Sequence, residues 1–254
     1  MIACTIWIKR PLIKCSKFTY EARAGSSTGR QHKMKIRGYY FITDAKLSRA
    51  GNISDVKDAL AAGVTIVQYR NKNAPTKAMY EEALKIKALC KKAGALFIVN
   101  DRVDIALAID ADGVHIGSDD MPYRVARKLL GSKKVIGVTV HDDKEAREAQ
   151  RLGADYVGVS PIFLTDTKPD AGVPAGIELI KKVKRMVSVP VIAIGGINLY
   201  NAEEIVKAGA DGLCAISAVL TRPDVRSEIE KYQRFFPSPQ IKQPQMRLGM
   251  KFTS

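Results

Sequence analysis

A short joint recurs four times along this chain. Ala62-Gly63-Val64, Ala93-Gly94-Ala95, Leu152-Gly153-Ala154-Asp155 and Ala208-Gly209-Ala210-Asp211-Gly212 each close an amphipathic stretch and open an apolar run. Glycine just past a helix end adopts the left-handed conformation that stops the helix. Four copies of one helix-to-strand joint imply repeated βα units rather than unrelated domains. Runs rich in β-branched residues mark eight strands, at 39–43, 64–69, 96–100, 113–117, 135–140, 156–160, 191–194 and 212–217. Helix-like segments lie between them, among them 76–93, 144–152, 176–186 and 201–208. "VIAIG" and "VIGVTV" are continuously apolar, as strands buried on both faces are. Eight such units predict an α/β protein with a closed (β/α)8 TIM barrel. A doubly wound open sheet is the alternative, but it generally needs fewer strands.

Charge is distributed unevenly along the chain. The formal net charge is +15 over 254 residues. Residues 1–37 hold nine Lys or Arg and one acid, and residues 231–254 hold five Lys or Arg and no acid. The middle carries 27 basic and 25 acidic residues, so it is nearly neutral and has no basic stripe with interleaved aromatics. The expected organisation is a basic N-terminal extension at 1–37, a catalytic barrel at 38–232 and a basic tail at 233–254. The extension lacks the h-region of a secretory signal. It reads as a disordered arm, an organellar transit peptide or a misassigned start. The last is favoured, because Met34 opens "MKIRGYYFITD", which runs straight into a strand. The tail reads as mostly disordered. No apolar run is long enough to span a bilayer. Cys4, Cys15, Cys90 and Cys214 show no CxxC spacing, so a reducing cytoplasm is expected, with Cys90 and Cys214 as small core residues.

Barrels of this class place their chemistry at the C-terminal ends of the strands. Polar residues cluster there in this sequence. Gln68-Tyr69-Arg70-Asn71-Lys72, Asn100-Asp101-Arg102, Ser118-Asp119-Asp120, Thr139-Val140-His141, Gly195-Gly196 and Ile216-Ser217 follow successive strands. The helix-to-strand joints carry only Gly, Ala and Asp, as short turns do. Asp101 and Asp120 follow adjacent strands and can converge on one cation, since Mg²⁺ is commonly held by two carboxylates plus water and substrate oxygens. The plainer alternative makes Asp101 the cap of the helix in "NDRVDIALAI". Asp119 competes with Asp120. Arg70 and Lys72 are two apart at a strand end and can face one side, where with Lys168 they would surround a diphosphate. Against this, Lys72 can be plain surface charge. Gln68 lies in an apolar strand and needs a hydrogen-bond partner if buried. It could read the edge of a heterocycle. Gly195-Gly196 lets backbone approach a ligand, although turns use the same pair. His115, inside "GVHIG", reads as a satisfied core residue, whereas His141 at a strand end has access for acid–base work. In "VGVSPIFLTDTKPDAG", Thr165, Thr167 and Lys168 gather hydroxyls and an ammonium suited to phosphate oxygens.

Several of these segments, in order and at fitting intervals, resemble the thiamine phosphate synthases: "QYRNK", "NDRVDIALAIDADGVHIGSDDMP", "GVTVH", "ADYVGVSPIFLTDTK", "VPVIAIGGI" and "AGADGLCAIS". The resemblance covers about residues 38–220. It implies a (β/α)8 transferase that joins 4-amino-2-methyl-5-hydroxymethylpyrimidine diphosphate to the phosphorylated thiazole, releasing diphosphate. It also implies Mg²⁺ held by Asp101 and Asp120, and substrate contacts from Gln68, Arg70, Lys72, Asn100, Thr139, Thr165, Thr167, Lys168, Gly196, Ile216 and Ser217. Lys72, Lys168 and Thr139 would assist departure of diphosphate. Thr139 stands where the family often has Ser, and Leu164 where it more often has Pro. Two rivals stay open. A thiazole tautomerase of the same superfamily would use His141. A nucleic-acid-binding protein would use the basic tails, and it ranks below the enzyme. The expected partners are small-molecule substrates, with no membrane; a homo-oligomer is left open.

Overall fold

The computed structural model describes residues 36–167 and 172–236. Within them the strands are β1 (Gly38–Tyr39), β2 (Phe41–Ile42), β3 (Ile66–Tyr69), β4 (Leu96–Asn100), β5 (Gly113–Ile116), β6 (Val135–Val140), β7 (Tyr156–Val159), β8 (Val191–Ile194) and β9 (Gly212–Cys214). All pair in parallel in one sheet, in the order β1-β9-β8-β7-β6-β5-β4-β3-β2. Only Tyr40 separates β1, which pairs with β9, from β2, which pairs with β3. They are two halves of one pass, and the ring closes through it. The eight expected strands are therefore present, the first of them divided.

The helices are α1 (Asn52–Ala61), α2 (Thr76–Ala93), α3 (Val103–Ala108), α4 (Tyr123–Leu130), α5 (Asp143–Leu152), α6 (Gly176–Met186), α7 (Ala202–Lys207), α8 (Ile216–Leu220) and α9 (Val225–Gln233). The parallel βα alternation makes this the expected TIM barrel. Most boundaries agree within two residues, and one differs in the kind of element. The eighth predicted strand, 212–217, ends at Cys214, and Ile216 and Ser217 instead open α8. "AISAVL" is a short apolar run, and periodicity alone does not separate a strand from a buried helical turn at that length. Among the described residues no helix is long and apolar enough to cross a membrane. The expectations for residues 1–35 and 237–254, Cys4 and Cys15 included, lie outside the described residues.

Strand side chains alternate between two cores. Along β4, Leu96 and Ile98 join a cluster with Tyr40, Ile42, Ile66, Tyr156, Ile192 and Cys214 inside the ring. Phe97 and Val99 join the larger layer between the ring and its helices. That layer receives Met79, Ala83, Ile86 and Cys90 from α2, which recur at helical spacing. Burying each large aliphatic side chain there is worth roughly 1.5–3 kcal/mol, so this layer is the main source of stability.

The joints fix where the strands begin. Gly94 and Gly153 end α2 and α5 at φ 70° and 95°. Three aspartates just before strands repeat one device. Asp112, Asp155 and Asp211 accept, through Oδ2, the backbone N–H of Phe97, Ile136 and Val191, each at 2.8 Å. Their own N–H groups donate back to the carbonyls of those same residues. Each pair locks one strand start to its neighbour.

Candidate active site

A cavity lies at the C-terminal ends of the strands. Strand residues Ile42, Gln68, Asn100, His115, Thr139, Ile194 and Cys214 line it from the inside-facing positions. Residues just beyond the strands add to it, among them Arg70, Lys72, Asp101, Gly117, Asp119, Asp120, His141, Ser160 and, further on, Thr165, Thr167, Gly195, Gly196, Ile216 and Ser217. Period-two alternation explains the selection. Ile66, Gln68 and Arg70 share one face, as do Ile98 and Asn100.

Asp101 holds a left-handed backbone conformation, φ 59°. A non-glycine residue sits there at a cost of about 1–2 kcal/mol, so the surroundings must enforce it. Its N–H donates to the carbonyl of His115 at 2.8 Å. Its Oδ1 accepts from Asn100 Nδ2 at 2.6 Å, and its Oδ2 meets Lys72 Nζ at 2.5 Å. The capping alternative does not apply, because Arg102 is the residue before α3 and no side chain caps that helix. Asp120 is half-buried and accepts the Gly117 N–H at 2.7 Å. Burial, and then the adjacent Asp101 carboxylate, push its carboxyl above the usual range, against the opposing pull of the Gly117 N–H and of Lys72. Asp119 is exposed and is bonded by Ser118 Oγ at 3.3 Å. The acid facing Asp101 is therefore Asp120. No third His, Cys, Asp or Glu forms a metal-binding group with them among the described residues. Two hard carboxylates that repel each other, with room for substrate oxygens and water, fit Mg²⁺.

Arg70 is anchored by Asp44, Nη1 to Oδ2 at 2.7 Å, and its backbone exchanges hydrogen bonds with Thr43 Oγ1. Gly195 and Gly196 have φ 101° and 64°. A Cβ on Gly195 would lie 2.8 Å from Pro161 Cα, and one on Gly196 2.4 Å from the Leu164 carbonyl. The glycine pair thus admits the 161–164 segment of the chain itself, as well as lining the cavity. Thr165 Oγ1 accepts the Thr167 N–H at 3.3 Å. His141 lines the cavity with Nδ1 3.1 Å from Glu145 Oε2. His115 is buried and hydrogen-bonded, as expected. Cys90 and Cys214 are free, buried thiols, and burial pushes Cys90 up to about 12.

The family model described as thiamine monophosphate synthase matches residues 39–219. The chain belongs to this family. It is 54% identical over 199 residues to the thiamine-phosphate synthase of Methanosarcina barkeri, covering 78% of this chain and 90% of that protein. It is 51% identical over 187 residues to that of Chloroflexus aurantiacus, covering 73% and 86%. The solved thiamine phosphate pyrophosphorylase from Pyrococcus furiosus superposes with a TM-score of 0.73 at 43% identity, covering 80% of this chain and 96% of that one. As a member of the thiamine monophosphate synthase family the chain is a transferase, as the resemblance implied.

Of the residues that the family resemblance singled out, Gln68, Arg70, Lys72, Asn100, Asp101, Asp120, Thr139, Thr165, Thr167, Gly196, Ile216 and Ser217 meet around one cavity. Lys168 lies outside the described residues. Sequence reasoning missed Asp44, although an acid just after the first strand, in "FITD", is the same signal used for Asp101. It also missed the contacts of Tyr40 and Tyr156, which nothing local in the sequence announces.

Proposed function

We infer that the chain condenses 4-amino-2-methyl-5-hydroxymethylpyrimidine diphosphate with the phosphorylated thiazole to give thiamine phosphate and diphosphate. The observation that carries this reading is the convergence of two facing carboxylates and Lys72 with Asn100, Thr139, Thr165 and Thr167 around one cavity. That set suits a diphosphate leaving group, and the reaction needs no protein nucleophile.

Asp101 and Asp120 would hold Mg²⁺. When bound, Mg²⁺ neutralises charge gathering on the departing diphosphate. Lys72 exchanges its contact with Asp101 for diphosphate oxygens. Asn100, Thr139, Thr165, Thr167 and Lys168 donate hydrogen bonds to the same oxygens. The preorganised dipoles of Asn100, Thr139, Thr165 and Thr167 stabilise charge as it develops, and the Lys168 ammonium adds its positive charge. The bond between the pyrimidine methylene carbon and the diphosphate oxygen breaks, and its electron pair leaves with diphosphate. The 4-amino group feeds density into the resulting cation. The thiazole nitrogen lone pair then forms the new C–N bond. Gln68 and Arg70 orient the pyrimidine diphosphate, while Gly196, Ile216 and Ser217 receive the thiazole phosphate. The setting is cytoplasmic.

The test is direct. Purified protein is mixed with both substrates and Mg²⁺, and thiamine phosphate and diphosphate are measured with and without EDTA. Both products, formed only with metal, are the expected result. Thiazole isomerisation without diphosphate release would assign the site to a tautomerase acting through His141, and folded protein giving neither would overturn the reading.

A further inference from the structure

Inside the ring, five polar side chains from distant parts of the sequence form an unbroken hydrogen-bonded chain. Gln68 Nε2 donates to the Tyr40 hydroxyl at 2.9 Å. The Tyr40 and Tyr156 hydroxyls are 2.6 Å apart. Tyr156 lies 3.0 Å from His115 Nδ1, and His115 Nε2 lies 2.8 Å from Thr139 Oγ1. Tyr40 and Tyr156 are fully buried, and Gln68 and His115 are 2% and 4% exposed. Both ends of the chain, Gln68 and Thr139, line the cavity.

The backbone is shaped around this chain. A Cβ on Gly137 would lie 2.0 Å from Tyr156 Cζ, and one on Gly158 would lie 3.2 Å from His115 Cε1. Strand glycines weaken a sheet and mark close approaches. Here two of them, on β6 and β7, make room for the two rings. The His115 and Tyr156 rings stack at 5.5 Å between centroids.

With the Gln68 amide nitrogen toward Tyr40, the bonds all run in one direction. Tyr40 accepts from the Gln68 amide, so its single proton goes to Tyr156. Tyr156 then donates to His115 Nδ1. A neutral imidazole that accepts at Nδ1 donates at Nε2, here to Thr139. Thr139 accepts, and its own proton is left for the cavity. Burial holds both phenols well above their ordinary pKa, so each keeps the one proton this direction requires. At the other end, Gln68 Nε2 bonds Tyr40, which leaves its Oε1 for the cavity that Gln68 lines. The cavity is offered an acceptor at Gln68 and a donor at Thr139. Turning the amide over would reverse every bond and leave Thr139 an acceptor.

We propose that Tyr40, Tyr156 and His115 are positioning residues that couple the orientation of the Gln68 amide to the donor state of the Thr139 hydroxyl. A ligand bearing an amino group at Gln68 thereby fixes a hydroxyl donor for an anionic oxygen at Thr139. This rests on the synthase reading for the identity of the ligand, but the coupling itself is a property of the free protein.

The test therefore reads the free protein first. The chain has three histidines, so imidazole ¹⁵N resonances are assignable by substitution. The wild type should show His115 as the Nε2–H tautomer. Gln68→Glu, read where the Glu side-chain ¹³C shift shows it ionised, replaces the donor by an acceptor. It should switch His115 to Nδ1–H. Tyr156→Phe should abolish that switch. If Gln68→Glu does not fold, Gln68→Leu removes the donor without replacing it, and His115 should give averaged shifts of both tautomers. A His115 tautomer indifferent to residue 68, or a switch that survives Tyr156→Phe, would overturn the proposal. In turnover, Tyr156→Phe should lower kcat about 10-fold, the loss of one hydrogen bond's worth of positioning, with KM for the pyrimidine diphosphate within about twofold. A changed KM with unchanged kcat would contradict it. Absence of turnover in the wild type would sink the synthase reading while leaving the tautomer result to stand or fall by itself.

Discussion

At the N-terminal ends of β5, β7 and β9, Asp112, Asp155 and Asp211 each accept one strand N–H and return the bond through the backbone. At the C-terminal ends, Asp44 anchors Arg70, while Asp101 and Asp120 meet Lys72 and each other at a cavity. One residue type therefore serves two ends in different ways. At the joints each carboxylate is satisfied by a strand N–H of the neighbouring strand. In the cavity, Asp101 sits in a strained conformation and Asp120 beside a like charge. Such arrangements store cost locally, and a cation between the carboxylates relieves their repulsion. Stability and activity should therefore separate along the barrel axis.

Substitutions sharpen that separation. Lys72→Ala should lower kcat by about 10²–10³-fold, the range for removing one preorganised charge stabiliser. Its urea midpoint should hardly move, because a half-exposed ion pair contributes little to stability. Gly196→Ala brings a Cβ to 2.4 Å from the Leu164 carbonyl at a position with φ 64°. It should displace the 161–167 segment and lower kcat/KM roughly 10–100-fold through misplacement, measured with both substrates. Asp211→Ala removes the acceptor of the Val191 N–H and the partner of Lys184. It should cost about 1–2 kcal/mol in urea unfolding and leave kcat within twofold. Gly63→Ala meets nothing within 4 Å but must hold φ 81°. It should cost about 1 kcal/mol, with no change in turnover. A joint variant that lost activity while keeping its stability would break the division.

Much of this was legible in the sequence. The repeated Gly joints and apolar runs identified the barrel, because each βα unit carries its own signals. Gln68, Asn100, Asp101 and Asp120 stood out because polar residues at strand ends have few structural uses. What stayed hidden depends on contacts between distant strands. The first strand is divided at Tyr40, its first half pairing with β9 and its second with β3, a detail that rests on partners distant in the sequence. The Tyr40–Tyr156–His115 chain joins residues up to 116 positions apart. Gly195-Gly196 read as a ligand contact or a turn, whereas the structure adds close packing by the chain's own 161–164 segment. The start of α8 at Ile216 was hidden for another reason, since "AISAVL" has too few residues to show a period.

The division between the two ends rests most directly on one paired measurement. Asp101→Ala and Asp155→Ala are prepared side by side, and each is assayed for metal-dependent thiamine phosphate formation and for its urea midpoint. Asp101→Ala should lose turnover by about 10³-fold or more and keep its stability within about 1 kcal/mol, because removing a carboxylate that repels Asp120 offsets the lost contacts with Asn100 and Lys72. Asp155→Ala should lose about 1–2 kcal/mol of stability and turn over normally. Equal losses of activity in the two, or an active Asp101→Ala, would contradict the assignment of chemistry to one end of the barrel and structure to the other.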